Sequence, residues 1–231
     1  MTHFAEVELV HLYEEEIGMC KGCCACLIAG SAGCPSHEDA AGRILNKMLE
    51  ADGVIYVTPN YALQIPAGLK NLLDRLSFVF HRPRLFGKRS MTIVVEGVYG
   101  GRSILKYMDQ VMEFWGMKAV KGTSVTGGVY PGCETDLRTS EKNNKKIDQA
   151  IQRFLNDLHG EKLPDPSLMR VVMFRAARAS MRSSPDALPA DKAYFEEKGW
   201  FDSPYYYEAR LNPIQLAAGA IVDGLIGRKS Q

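Results

Sequence analysis

Cys20, Cys23, Cys26 and Cys34 stand in the pattern C-x2-C-x2-C-x7-C, closed by Pro35. Gly18, Gly22, Gly30 and Gly33 lie among them. A glycine-rich loop can turn every thiolate inward, whereas a helix points successive cysteines in different directions. Four thiolates at this compact spacing suit an iron–sulfur cluster, [4Fe-4S], and hence one-electron chemistry. Three other readings stay open. A structural zinc site would accept four thiolates but usually splits them into two separated C-x2-C knuckles. A disulfide framework belongs to small secreted chains, and no signal peptide is recognisable here. The third is a cysteine-rich loop that binds nothing, or that uses its thiols for redox chemistry alone. Cys24 is a fifth thiol in the run, so the ligand set could be permuted. Cys133 is far away and reads as an ordinary buried cysteine.

The elements that must position these residues follow from the apolar pattern. Residues 6–13 alternate polar and apolar and predict a strand. Ser36 is placed to cap a helix over 37–51, with Glu38 and Asp39 favourable in its first turn. Residues 53–58, Gly-Val-Ile-Tyr-Val-Thr, form a continuous apolar strand of the kind found in parallel sheets. It runs into Pro59-Asn60-Tyr61, and Pro66 opens a helix over 66–79. Residues 91–95 predict a third strand, ending in the loop Glu96-Gly97-Val98-Tyr99-Gly100-Gly101. A helix over 102–116, a strand over 118–126, a Pro131-Gly132 turn and a polar helix over 138–158 complete the alternation. Strands and helices at this rhythm predict an open parallel α/β sheet.

Beyond Gly160 the character changes. Pro164 and Pro166 make a linker, and residues 168–181 predict a basic helix carrying Arg170, Arg175 and Arg178, with Arg182 just beyond. It reads as a solvated surface helix rather than a membrane-lying one. Residues 199–210 are densely aromatic, suited to a ligand cap, a subunit interface or a satellite core. An apolar helix over 213–226 follows. The expected division is therefore 1–160 for the sheet domain and 161–231 for a helical and aromatic extension.

The 231 residues carry 28 basic and 27 acidic side chains, a formal charge of +1. No nucleic-acid or acidic-membrane field follows from that balance. No apolar run reaches the roughly 20 residues of a membrane span. Six cysteines without a secretory signal point to the cytoplasm.

Taken together, these landmarks resemble the flavodoxin-like NAD(P)H-dependent FMN reductases, in particular their iron–sulfur flavoprotein branch. The residues that carry the likeness are the cysteine run 20–35, the stretch 52–61 ending Thr-Pro-Asn-Tyr, Leu-Lys-Asn-Leu-Leu-Asp-Arg at 69–75, the 96–101 loop and Phe114-Trp115-Gly116-Met117. The likeness spans roughly 5–158 and implies a three-layer α/β/α sheet with a helical C-terminal extension. It also implies FMN held by Thr58, Pro59, Asn60, Tyr61, Ala62 and Leu63 together with Glu96, Gly97, Tyr99, Gly100 and Gly101. Ligands of a doubly wound sheet sit at the carboxyl ends of its strands, which is where both loops fall. Asn60 and backbone amides would bond the polar edge of the flavin, Tyr61 would stack on its face, and the glycines would allow close approach. A homo-oligomer (dimer or tetramer), a small-molecule or protein redox partner and NAD(P)H as a possible donor are likewise implied.

One departure stands out. The family's chains begin with a strand and a phosphate-binding loop, and this chain begins at what should be the second strand. In the order 2-1-3-4-5 the first strand is the centre of the sheet. Its absence would leave residues 7–13 and 54–58 without a shared neighbour and the FMN phosphate without backbone donors. The favoured expectation is a start at an internal methionine, so that 1–231 binds FMN weakly or folds poorly. The other is a relative whose second strand pairs directly with the third, or whose partner chain fills the gap. Two other functions are carried beside the cluster-containing FMN oxidoreductase: a cluster-free FMN or quinone reductase, and a non-catalytic interaction protein.

Overall fold

The computed structural model describes residues 5–128, 133–158, 160, 163–183 and 186–227. Along them run α1 (Ala25–Ile28), a 3-10 turn (Ser31–Gly33), α2 (Ala40–Glu50), β1 (Gly53–Pro59), α3 (Ala67–Arg75) and α4 (Phe78–His81). Then come β2 (Arg89–Glu96), α5 (Gly101–Phe114), β3 (Lys118–Ala119), β4 (Thr123–Thr126) and α6 (Leu137–Leu158). The last three helices are α7 (Leu168–Ser183), α8 (Pro189–Glu197) and α9 (Pro213–Gly227). The chain divides into two compact units, Met1–Cys20 with Glu38–Lys162, and Lys21–His37 with Leu163–Gln231.

In the first unit β2 lies between β1 on one side and β3 and β4 on the other, all parallel. β2 is covered on both faces: its residues from Arg89 to Val94 are buried, polar ones included, and Met91 and Val94 are wholly so. Met91 and Ile93 join Val120, Val125, Ala150 and Phe154 in one core cluster, which seats α6 on that face. Ile104, Met108, Val111 and Met112 recur at helical spacing along α5 and are buried. The predicted last strand is split into β3 and β4 around Gly122. A Cβ there would lie 2.0 Å from the Thr92 carbonyl oxygen, so only glycine allows the close approach.

β1 is different. Tyr56 and Thr58 are buried, and burial pushes the Tyr56 phenol pKa up. Ile55 and Val57 on the opposite face are exposed. The register sets Ile55 beside Met91 and Val57 beside Ile93; α6 covers the inner strand of that face and reaches β1 only at its start, where Phe154 and Leu158 lie against Gly53. The far edge of β1 pairs with no other strand among the described residues. Residues 5–10 are not the predicted strand: they form no ladder, and Val7 and Leu9 point into solvent. Their alternation supplies a face, but a strand exists only where another backbone takes its hydrogen bonds. Direct pairing of this segment with β1 is therefore not observed.

Two helix starts differ from expectation. Asp39, not Ser36, caps α2, its Oδ1 accepting the Ala41 amide at 2.9 Å. The helix expected over 66–79 breaks into α3 and α4 at Leu76 and Ser77. Cys133, expected buried, is exposed. The Pro131-Gly132 turn lies outside the described residues.

The second unit is built on aromatic packing. Phe174, Phe195, Trp200 and Tyr205 are buried, and the Phe174–Tyr206 and Trp200–Tyr206 ring centroids lie 4.5 and 4.6 Å apart, edge to face. The 199–210 run is thus a satellite core. The arginines of α7 are not a solvated stripe either: Arg178 is buried, and Arg175 and Arg178 each donate to Asp223 Oδ2 of α9 at 2.6 Å. α8, which carries no strong periodicity, was not expected from sequence; α1 packs against it.

Candidate functional site

β1 and β2 end side by side, and the chain leaves each of them in a loop. The Asn60 amide donates to Val95 O at 2.8 Å, which carries the strand pairing one residue past β1. Residues 61–64 then close a two-residue reverse turn, with the Tyr61 amide on Gln64 O and the Gln64 amide on Tyr61 O at 3.0 and 2.9 Å. Ala62 and Leu63 take φ values of 50° and 65°, the left-handed geometry such a turn demands at both central positions. Side chains rarely adopt it, and each costs on the order of 1–3 kcal/mol. Backbone strain of this size concentrates at functional sites. The turn presents Tyr61 and Leu63 to solvent.

The second loop is held against the first. Asn60 Nδ2 donates to Tyr99 O at 2.7 Å. Gly100, at φ 109°, touches the same residues: a Cβ there would meet Asn60 Nδ2 at 2.7 Å and Leu63 Cδ2 at 2.9 Å. Glu96 closes the loop from below, its carboxylate accepting the Gly101 amide and the Ser124 hydroxyl, each at 2.6 Å. Gly101 has no room for a Cβ beside Glu96 and Ser124 either. Gly97 borders open space, and Val98 and Tyr99 are exposed. The structure therefore brings the 58–63 and 96–101 residues together, but it gives Glu96, Gly100 and Gly101 the work of joining loops. Thr58 is buried, with its hydroxyl 3.3 Å from Pro59 O.

Three observations fit the edge and face of a flavin ring. Asn60 Oδ1 is buried and has no hydrogen-bond partner among the described residues, an orphaned acceptor at the junction of the loops. Tyr61, Leu63 and Tyr99 offer exposed aromatic and apolar surface around it. The whole group lies at the carboxyl ends of adjacent parallel strands. For a phosphate the fit is poor, because the first amide of α5 is already taken by the Glu96 carboxylate.

The cysteine run is anchored at its start. Asn71 Oδ1 accepts the Cys20 amide at 3.0 Å, and Asn71 Nδ2 donates to Ile17 O and Gly18 O. Asp39 Oδ2 accepts the Gly18 amide and pairs with the buried Arg75, both at 2.8 Å. Cys20 belongs to the first unit, whereas Cys23, Cys26 and Cys34 fall in the second. There Cys23 and Cys24 are exposed, Cys24 opens α1 at φ 57°, Cys26 sits within α1, and Cys34 follows the 3-10 turn. Among the described residues no three Cys, His, Asp or Glu side chains come together as a metal site. Local helical turns set the directions of Cys26 and Cys34 here, where a glycine loop was expected.

Sequence reasoning missed the supports. Ser124 lies 28 residues from Glu96, and no local pattern links the two. Asn71 and Arg75 stand within the 69–75 stretch, but their role depends on a segment more than fifty residues away in the case of Asn71 and Cys20.

Residues 2–130 match the family model of NADPH-dependent FMN reductases. The chain belongs to this family. It is 30% identical over 198 residues to an iron–sulfur flavoprotein of Archaeoglobus fulgidus, covering 84% of this chain and 85% of that one. It is 32% identical over 99 residues to a quinone reductase of Escherichia coli, 42% of this chain and 52% of that one. A solved structure of a candidate quinone reductase from Klebsiella pneumoniae aligns with TM-score 0.47 at 18% identity, over 68% of this chain and 74% of the other. This FMN reductase relative is an oxidoreductase with an open, flavodoxin-like parallel sheet.

Proposed function

We propose that the chain is a flavin-dependent oxidoreductase that moves electrons from NAD(P)H, or from a protein donor, to a small-molecule or protein acceptor. The observation that carries this reading is the Asn60 amide, which clamps the two strand-end loops through Tyr99 O and leaves Oδ1 without a partner among the described residues. When bound, FMN supplies the redox chemistry itself, taking two electrons from a donor and passing them on. The chain's residues orient and shield it. Asn60 and the 58–63 backbone would hold the polar edge, Tyr61 and Tyr99 would cover a face, and the strained turn at Ala62 and Leu63 would fix where those groups stand. Glu96 keeps the 97–100 loop in place through Gly101 and Ser124.

The finer reading adds a [4Fe-4S] cluster on Cys20, Cys23, Cys26 and Cys34, supported by the spacing and by the flavoprotein relative. A cytoplasmic, homo-oligomeric enzyme belongs to the same reading, and no described helix is long and apolar enough to cross a membrane. An anaerobic visible spectrum of the purified chain, with iron and flavin assayed on the same sample, tests it. Added FMN bleached by NAD(P)H and reoxidised by a quinone is the expected result. Four irons per chain, with a broad band near about 400 nm, would add the cluster. A protein that neither retains flavin nor catalyses NAD(P)H oxidation would overturn the reading.

A further inference from the structure

The turn that carries Tyr61 is closed in a geometry its own residues suit poorly. A two-residue turn with both central residues at positive φ favours Asn-Gly, Asp-Gly or Gly-Gly. Here the central pair is Ala62-Leu63, at φ 50° and 65°. Neither Ala nor Leu has a polar side-chain atom to bond its own backbone, the feature that eases Asn and Asp into this region. Such a conformation persists only where the surroundings over-determine it.

Leu63 has a contact that does so. It lies against Gly100 of the other loop, its Cδ2 2.9 Å from where a Cβ on Gly100 would stand. Asn60 Nδ2 lies 2.7 Å from the same point. The space left by the missing Cβ is therefore filled twice over from the 58–63 loop, by an apolar side chain and by the amide that donates to Tyr99 O. A turn of the ordinary hand would splay the residues on either side of it and withdraw Leu63 from Gly100. The contact itself is small, since Leu63 is 50% exposed, so it sets the register of the loops more than it stabilises the unit.

We propose that Leu63 is the positioning residue of the flavin site. It reaches across to Gly100, fixes the 58–63 loop against the 97–100 loop, and so sets where Asn60, Tyr61 and Tyr99 stand. The strain at Ala62 and Leu63 is what holding that contact costs. The inference rests on the flavin reading above and adds that affinity and stability are opposed at this one position. A side chain that merely packed would support both together, and an incidental strain would support neither.

Leu63→Gly and Leu63→Met in the full chain test it, each read by thermal melting without ligand and by fluorescence titration with FMN. Glycine takes positive φ without strain, so Leu63→Gly is expected to melt at or above the parent, by up to about 4 °C. Its dissociation constant for FMN is expected to rise at least about tenfold, because the loops lose their register. Leu63→Met restores an unbranched apolar side chain of similar reach and should recover most of that loss. Leu63→Gly binding FMN as tightly as the parent overturns the inference and leaves the flavin reading intact. Leu63→Gly melting well below the parent overturns it too, by making Leu63 an ordinary packing residue, as does Leu63→Met binding no better than Leu63→Gly. A parent chain that binds no FMN fails the flavin reading, and the inference falls with it.

Discussion

At the scale of single residues, the site rests on side chains that hold other parts of the chain. Glu96, among the residues expected to hold FMN, accepts the Gly101 amide and the Ser124 hydroxyl on its carboxylate. Replacing it by Ala removes a carboxylate from the start of α5 and frees the loop above. The expected cost is about 1 kcal/mol of stability, read by chemical denaturation. Flavin affinity is expected to fall about tenfold, equivalent to about 1.4 kcal/mol, because Tyr99 and Gly100 lose their fixed position. Glu96→Gln, which can still accept from Gly101, should recover most of both. The identities of the loop residues could be read from the sequence, since strand ends followed by Pro-Asn-Tyr or by glycines announce themselves. Their division of labour could not, because it depends on Ser124, which is distant in sequence and packs beside Gly101.

At the scale of elements, the strongly periodic segments were legible: β1, β2, α5, α6, α7 and α9 stand where apolar spacing put them, to within a few residues. What failed was whatever a distant partner decides. Residues 6–13 have the alternation of a strand without a neighbouring ladder. Ser36 and Asp39 are both competent caps, and the choice fell to Asp39, which Gly18 and Arg75 hold. The arginines of α7 look like a solvated stripe until Asp223 is placed against them. α5 carries a conflict that yields a pH test. Asp109 is half-buried, one turn before Glu113, and burial followed by that like charge pushes its carboxyl up to about 6. The folded chain thus holds this proton more tightly than the unfolded chain, whose carboxyl titrates near its ordinary value of 3.8. Its contribution to stability is therefore most favourable below about pH 4, declines as the pH rises to about 6, and stays low above that. Asp109→Asn should raise stability at pH 7 by about 1 kcal/mol, discounted for partial exposure, and flatten the melting temperature between about pH 4 and 6. An unaltered pH profile would show that Asp109 is not the titrating group.

At the scale of the molecule, a parallel sheet covered on both faces at β2 ends at β1, whose far edge pairs with no other strand among the described residues and whose Ile55 and Val57 are exposed, beside the very loop that would hold the flavin. The strand-end loops provide a clamp for a ring, whereas the first amide of α5 is already taken by the Glu96 carboxylate. Three of the four cysteines fall in the second compact unit, and the cluster reading rests on their spacing and on the flavoprotein relative. The flavin site, by contrast, is assembled from adjacent strands of one unit. Its central claim is that Asn60 and the two loops recognise the flavin ring. The decisive measurement is a fluorescence titration of the chain 1–231 with FMN and with riboflavin, repeated on Asn60→Ala. The account predicts weak binding of both flavins, with affinities within about threefold of each other, and at least a tenfold loss of both in the variant. Riboflavin failing to bind while FMN binds more than about a hundredfold tighter would contradict it, as would flavin binding indifferent to Asn60.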